Sequence, residues 1–296
     1  MMINNPVEAE TAIFYNKKLE FRHGQILTCE MLKEINAFPR NVLSATFRDF
    51  SDGILAGVDY IQKDRDLLIT GGLVKFKEEL YYMPEEFNLS HYLRENSYPE
   101  NSERLFLVLV PQENLIFEGT VVKILKLFAS SQKEFINNGI LIGSFRHEEN
   151  SYLRIPENIE SHFLAKSRFN LLEVPFAAPQ KPTFHPIIFK SVLRYLKEKK
   201  LKNLLDWQLL MLLSEHKVLS IETVITYIDA VHSEFLKNDS LDLSETEMQG
   251  PNEKLYKAFI KCLKTQVAEP IERKMAEPKE HVHVQTDVLR SEDPYN

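Results

Sequence analysis

Two hydrophobic periods divide this chain. Up to about Pro156 the apolar residues alternate with polar ones or come in short runs, and from Pro186 onward they recur every three to four positions. The first regime predicts strands and turns. Leu19 to Thr28 is a strand-like entry, and Glu30 to Asn36 a short helical run that Phe38-Pro39 ends, because a residue before proline is pushed out of the helical region. Ser51-Asp52-Gly53 turns into a strand over Ile54 to Ile61, and Lys63 to Asp66 turns into another over Leu67 to Thr70. Gly71-Gly72 fits a two-residue primed turn, followed by the alternation of a half-buried strand in Leu73 to Lys77. Leu105 to Val110, apolar on both faces and ending at Pro111, predicts a central strand. Val121 to Phe128 fits a helical stripe through Val121, Ile124 and Phe128, but its β-branched residues favour the strand reading adopted here. Ile140 to Arg146, the polar stretch His147 to Ser151, and Tyr152 to Pro156 predict a hairpin.

The second regime begins after Pro175, Pro179, Pro182 and Pro186, which predict a stiff extended connector and a domain boundary. A helix starts at Pro186 with the stripe Ile188, Val192, Tyr195 and Lys199. A second, Leu204 to Leu213, is apolar almost all round and is expected to lie sandwiched between neighbours. Ser220 caps a third, with the stripe Ile221, Val224, Ile225, Ile228 and Val231. Asn238 to Gly250 is acidic and reads as a mobile loop, and a fourth helix, Asn252 to Val267, completes a small bundle. From Glu269 the chain is poor in large apolar residues and reads as a disordered tail.

Composition sharpens this division. Eight of the nine glycines lie between Gly24 and Gly143, where turns of a sheet structure need them. The expected fold class is α+β: an antiparallel β-sandwich-like domain over 1–182, a helical bundle over 183–268, and a tail over 269–296. At 296 residues, with 44% hydrophobic and 27% charged, two cores are the reasonable expectation. A net charge of -7 offers no general attraction to phosphate, so nucleic acid is not the expected partner. Cys29 and Cys262 form neither a disulfide framework nor a zinc motif. The first residues lack a basic and apolar leader, and Leu204 to Leu213 spans only about half of a bilayer, so a cytoplasmic protein without membrane insertion is expected.

Candidate chemistry is sparse. No phosphate-binding glycine loop, dinucleotide fingerprint or nucleophile elbow occurs, and no enzyme activity or cofactor is expected. Glu148-Glu149 would point to opposite faces of a strand and read as a solvated turn. His281-Val282-His283 offers two imidazoles on one side, too few for a metal, so no metal site is assigned. His23, beside Gly24, reads as a turn residue. Lys197 to Lys202 between two helices raises a duplex-binding reading, but the helix that follows is apolar where a recognition helix needs polar side chains. A nucleic-acid-associated regulator and a hydrolase with a site formed only in three dimensions remain the alternative readings.

Three passages, in order, resemble the TssK-like adaptor family of type VI secretion baseplates and the related shoulder domains of phage baseplates. They are Phe21 to Leu27, where Arg22 and Gln25 depart from the commonest pattern; Gly53 to Val58 through Gly72-Leu73-Val74; and Ile140 to Pro156 with the proline-rich bridge after it. The resemblance implies a β-sandwich shoulder, a helical neck that forms a trimer, docking to other baseplate proteins and to a membrane complex, and no active site. It implies interface roles for Phe21, His23 and Gly24 in the shoulder's first turn, and for Trp207, Leu209, Leu210 and Leu213 in neck packing.

Overall fold

The computed structural model describes residues 24, 26, 28–96, 104–112, 115–117, 120–146, 152–163, 168–201, 203–235, 243–245 and 247–265. The entry strand expected from Leu19, the turn at Glu148-Glu149 and the tail from 269 lie outside them. Residues Met1–Thr265 fall in one unit and Gln266–Asn296 in another.

The first described element is α1 (Cys29–Thr46), whose first turn is closed by Thr28 accepting from the Met31 N–H at 3.2 Å. It does not stop at Phe38: Pro39 lies inside it. A proline there forfeits one backbone bond and crowds the preceding turn. What holds the far end is tertiary. The buried Lys75 ammonium donates to the carbonyls of Phe47, Arg48 and Phe50, at 2.8, 2.9 and 2.6 Å, just beyond the helix's negative end. Lys75 thus departs from the half-buried alternation expected of its strand.

Along the chain follow β1 (Gly53–Gly57), β2 (Tyr60–Lys63), β3 (Asp66–Ile69), β4 (Gly72–Phe76), β5 (Glu79–Met83), β6 (Phe87–Asn88), α2 (Leu89–Glu95), β7 (Leu105–Pro111), β8 (Leu115–Phe117), β9 (Thr120–Val122), β10 (Leu125–Ser130) and β11 (Ile140–Phe145). They form antiparallel sheets ordered β1-β4-β5, β2-β3-β6 and β10-β7-β11, with the small pair β8-β9. β7 is central, as expected, and the ambiguous segment 121–128 is strand on both sides of a short break.

Three local expectations give way. The strand read as Ile54 to Ile61 breaks because Gly57 and Val58 take φ of 64° and 54°, sending its halves into different sheets. Gly71-Gly72 is not a primed turn: neither has positive φ, and the pair carries the chain from one sheet to another through a tight gap. A Cβ on Gly71 would sit 2.6 Å from the Met83 carbonyl oxygen, and one on Gly72 2.6 Å from that of Ala56. Nor do Tyr152 to Pro156 complete a hairpin with β11. Arg154 bridges Arg168, and β11 instead pairs with Asn170. In β11 an extra residue at Ile142 makes a bulge, and the Tyr60 hydroxyl donates to the Ile142 carbonyl.

The proline-rich stretch is packed rather than freely extended. Phe176 and Thr183 exchange backbone bonds at 3.0 and 2.8 Å, and Val174, Thr183, Phe184 and His185 are buried. Beyond it lie α3 (Pro186–Glu198), α4 (Leu204–Glu215), α5 (Ile221–Phe235) and α6 (Glu253–Lys264), close to the expected positions. Asn252 caps α6, and Ser220 accepts from the Thr223 N–H in α5. One continuous apolar cluster joins Ile54, Leu67 and Leu107 of the strands to Phe184, Phe189 and Phe259 of the helical part. The result is an α+β fold, antiparallel sheets followed by helices.

Candidate functional site

The helix expected to be enclosed is open on one side. Its orientation follows from a polar residue in its first turn. Asp206 is buried, and burying a carboxylate is unfavourable unless it is paired. Here Oδ1 accepts from the Tyr227 hydroxyl at 2.6 Å and Oδ2 from the Lys199 ammonium at 3.0 Å, while Lys199 also donates to the Leu263 carbonyl. Burial, and then the Asp206 carboxylate, push the Tyr227 hydroxyl far above the ordinary phenol range, so it stays a donor. With Asp206 anchored inward, Leu209 and Leu213 follow it into the core at helical spacing. The opposite face then points outward: Leu204 is 71% exposed, Trp207 49% and Met211 61%. These three form an i, i+3, i+7 stripe.

The sequence-derived interface residues therefore separate. Trp207 is exposed, Leu210 half-buried, and Leu209 and Leu213 are already used inside the chain. Gly24 lies in a turn with φ of 78°, with open space where a Cβ would be. Phe21 and His23 lie outside the described residues. A second apolar face escaped notice in the sequence: Leu32, Ile35, Val42 and Leu43 of α1 are exposed. Its helical spacing was legible, but reading Pro39 as a stop cut the stripe in half.

Two constellations bear on the alternative readings. Ser191 Oγ lies 3.0 Å from His162 Nε2, the spacing of a nucleophile and its base. The hydroxyl, however, gives its proton to the Ile187 carbonyl one helical turn back, at 3.1 Å, and His162 Nδ1 has no partner among the described residues, so no carboxylate orients the ring. Burial, and then Arg168, lower the His162 pKa to about 4. It sits as a neutral core residue. Of the basic run that raised the duplex-binding reading, Lys199 is taken up by Asp206 and Leu263, Lys200 is exposed and Lys202 lies outside the described residues. Among the described residues no helix is long and apolar enough to cross a membrane.

No protein-family model matches the chain, and no curated protein matches it. Among solved structures, it is similar to a chain of the type VI secretion system TssK-TssF-TssG baseplate subcomplex seen by cryo-electron microscopy. That similarity covers 84% of this chain and 99% of the other, at 11% identity and a TM-score of 0.34. The likeness is weak, and at that TM-score it carries no argument about function.

Proposed function

We propose that this protein is a structural assembly subunit that acts by burying apolar surface against other polypeptides, without catalysis of its own. More specifically, we read it as an adaptor of a contractile-injection baseplate, of the type VI secretion or phage-tail kind. In this reading it works in the cytoplasm, self-associates as a trimer through its helical part, and contacts other baseplate proteins and a membrane complex. The observation that carries the proposal is the exposed stripe Leu204, Trp207 and Met211, held outward by the buried Asp206 anchor. Tryptophan and methionine are enriched at protein interfaces, and a well-packed tryptophan is a frequent hot spot. The ordered resemblance of 21–27, 53–74 and 140–156 to the adaptor family supports the specific assignment.

Light scattering on the full chain tests it. The purified protein is expected at a multiple of 34.5 kDa, and the double change Trp207→Asp, Met211→Asp is expected to bring it to the monomer mass with its melting temperature unchanged. Loss of each large apolar contact at an interface centre costs about 2 kcal/mol or more, enough to dissociate a micromolar assembly. A wild-type monomer at tens of micromolar would overturn the self-association on which the proposal rests.

A further inference from the structure

Two of the three three-stranded sheets, β1-β4-β5 and β10-β7-β11, border one groove, and the chain treats their four margins unequally. At β1, the Ile54 N–H donates to the Pro175 carbonyl at 3.0 Å, and the Ile54 carbonyl accepts from Ala177 at 2.7 Å. At β11, Ser144 and Asn170 exchange bonds of 3.0 and 2.7 Å. Both margins are thus bridged, at Ile54 and at Ser144, by the stretch 170–177. The other two margins are β5 and β10. Among the described residues, Leu80 to Met83 of β5 and Leu125 to Leu127 of β10 have no main-chain partner beyond their own ladders. An exposed margin is a template for another strand, which native folds usually block.

Both open margins border the same groove. It has a volume of about 1000 Å3, and residues from Glu79 to Pro84 line one side and from Lys123 to Leu127 the other. Its apolar walls include Ile69, Val74, Tyr81, Leu109 and Ile142. At the floor the Tyr92 hydroxyl donates to the Leu127 carbonyl at 2.9 Å, and Tyr92 lies against Phe87. A Lys123–Glu79 ion pair ties the two sides together. On the outside, Tyr82 is 74% exposed.

The charge of the lining indicates the occupant. Arg40, Lys123 and Lys126 are the basic residues of the lining and Glu79, which Lys123 already engages, is its single carboxylate, in a chain whose net charge is -7. We propose that this groove takes an extended segment of a partner protein, with alternating apolar and acidic residues, as an added strand. Its main chain pairs with an open margin, one set of side chains fills the slot, and its carboxylates meet Arg40 and Lys126. The proposal shares with the assembly reading only the premise that the chain acts through protein contacts. Its surface is separate from the α4 stripe, so either can fail alone.

The probe is a labelled peptide of alternating glutamate and valine, followed by fluorescence anisotropy with the full chain. Two controls accompany it: lysine in place of glutamate, and N-methylation along the backbone, which removes the ladder donors. The acidic peptide is expected to bind at least tenfold more tightly than either. The double change Arg40→Glu, Lys126→Glu is expected to invert the preference between the acidic and lysine peptides without altering the melting temperature. Equal binding of all three peptides, no binding at millimolar peptide, or indifference to the charge reversal would each overturn the proposal. So would a groove filled by a second copy of the chain, recognised if Tyr82→Glu, but not Trp207→Asp with Met211→Asp, lowers the mass of the purified protein.

Discussion

Three buried polar side chains illustrate how far single residues were legible. Lys75 looked like the outward member of an alternating strand, yet its ammonium closes the end of α1. Asp206 looked like a polar interruption of an apolar helix, yet it sets that helix's rotation. Neither role is visible in the sequence, because the partners lie 7 to 28 positions away. His185 caps α3 by accepting from the Ile187 N–H and lies against Tyr60. Burial lowers its pKa to about 3, with the backbone at Val58 partly opposing and His162 adding a little; His162 is lowered to about 4. Both are neutral when folded and take up protons near pH 6.5 when unfolded, so the unfolded state binds more protons below that pH, and stability falls as pH falls. Between pH 7 and 5 each is expected to cost about 2 kcal/mol, at roughly 1.4 kcal/mol per pH unit below the unfolded pKa. Urea midpoints across that range check this. His185→Phe should flatten the slope by about one proton, and an unchanged slope would refute the assignment.

At the scale of elements, the apolar spacing of α3, α5 and α6 and the largely apolar runs of α4 and β7 located the four C-terminal helices and the central strand. Local pattern failed where a neighbouring backbone decides. Pro39 is a sound stop signal by local sterics, but α1 runs past it because Lys75 anchors its end. Glycines were read as turns, while Gly71 and Gly72 mark close approach. Gly143 does the same in β11: a Cβ there would lie 2.0 Å from the Phe169 ring, a buried side chain hemmed in by the core. Gly143→Ala is therefore expected to destabilise the protein by about 1–3 kcal/mol through overpacking, measured by chemical denaturation. A smaller companion change, Phe169→Leu, should recover part of the loss. A neutral Gly143→Ala would show that the ring has room to move.

For the whole molecule, the decisive element is the proline-rich stretch, read from sequence as a linker. It bridges the β1 edge at Ile54, follows closely on Asn170, which bridges β11 at Ser144, and leads into the buried Phe184 and His185. The apolar cluster is continuous from Ile54 to Leu263. A fragment ending at residue 182 is therefore expected to lack cooperative unfolding, because it loses the Phe176–Thr183 pairing, the His185 ring against Tyr60, and Phe184, Phe189 and Phe259 of the shared apolar cluster. Circular dichroism during thermal unfolding checks this, and a sharp transition in the fragment would show that the strand-rich part folds alone. By itself the sequence determined the α+β class, the order of strands before helices, and the helix positions, because these follow from nearest-neighbour sterics and the spacing of apolar residues along the chain. Only the tertiary structure decided which sheet each strand joins, which face of α4 and α1 stays open, and which sheet margins remain unpaired. Those outcomes depend on long-range hydrogen bonds and buried ion pairs, and no local pattern encodes the partner.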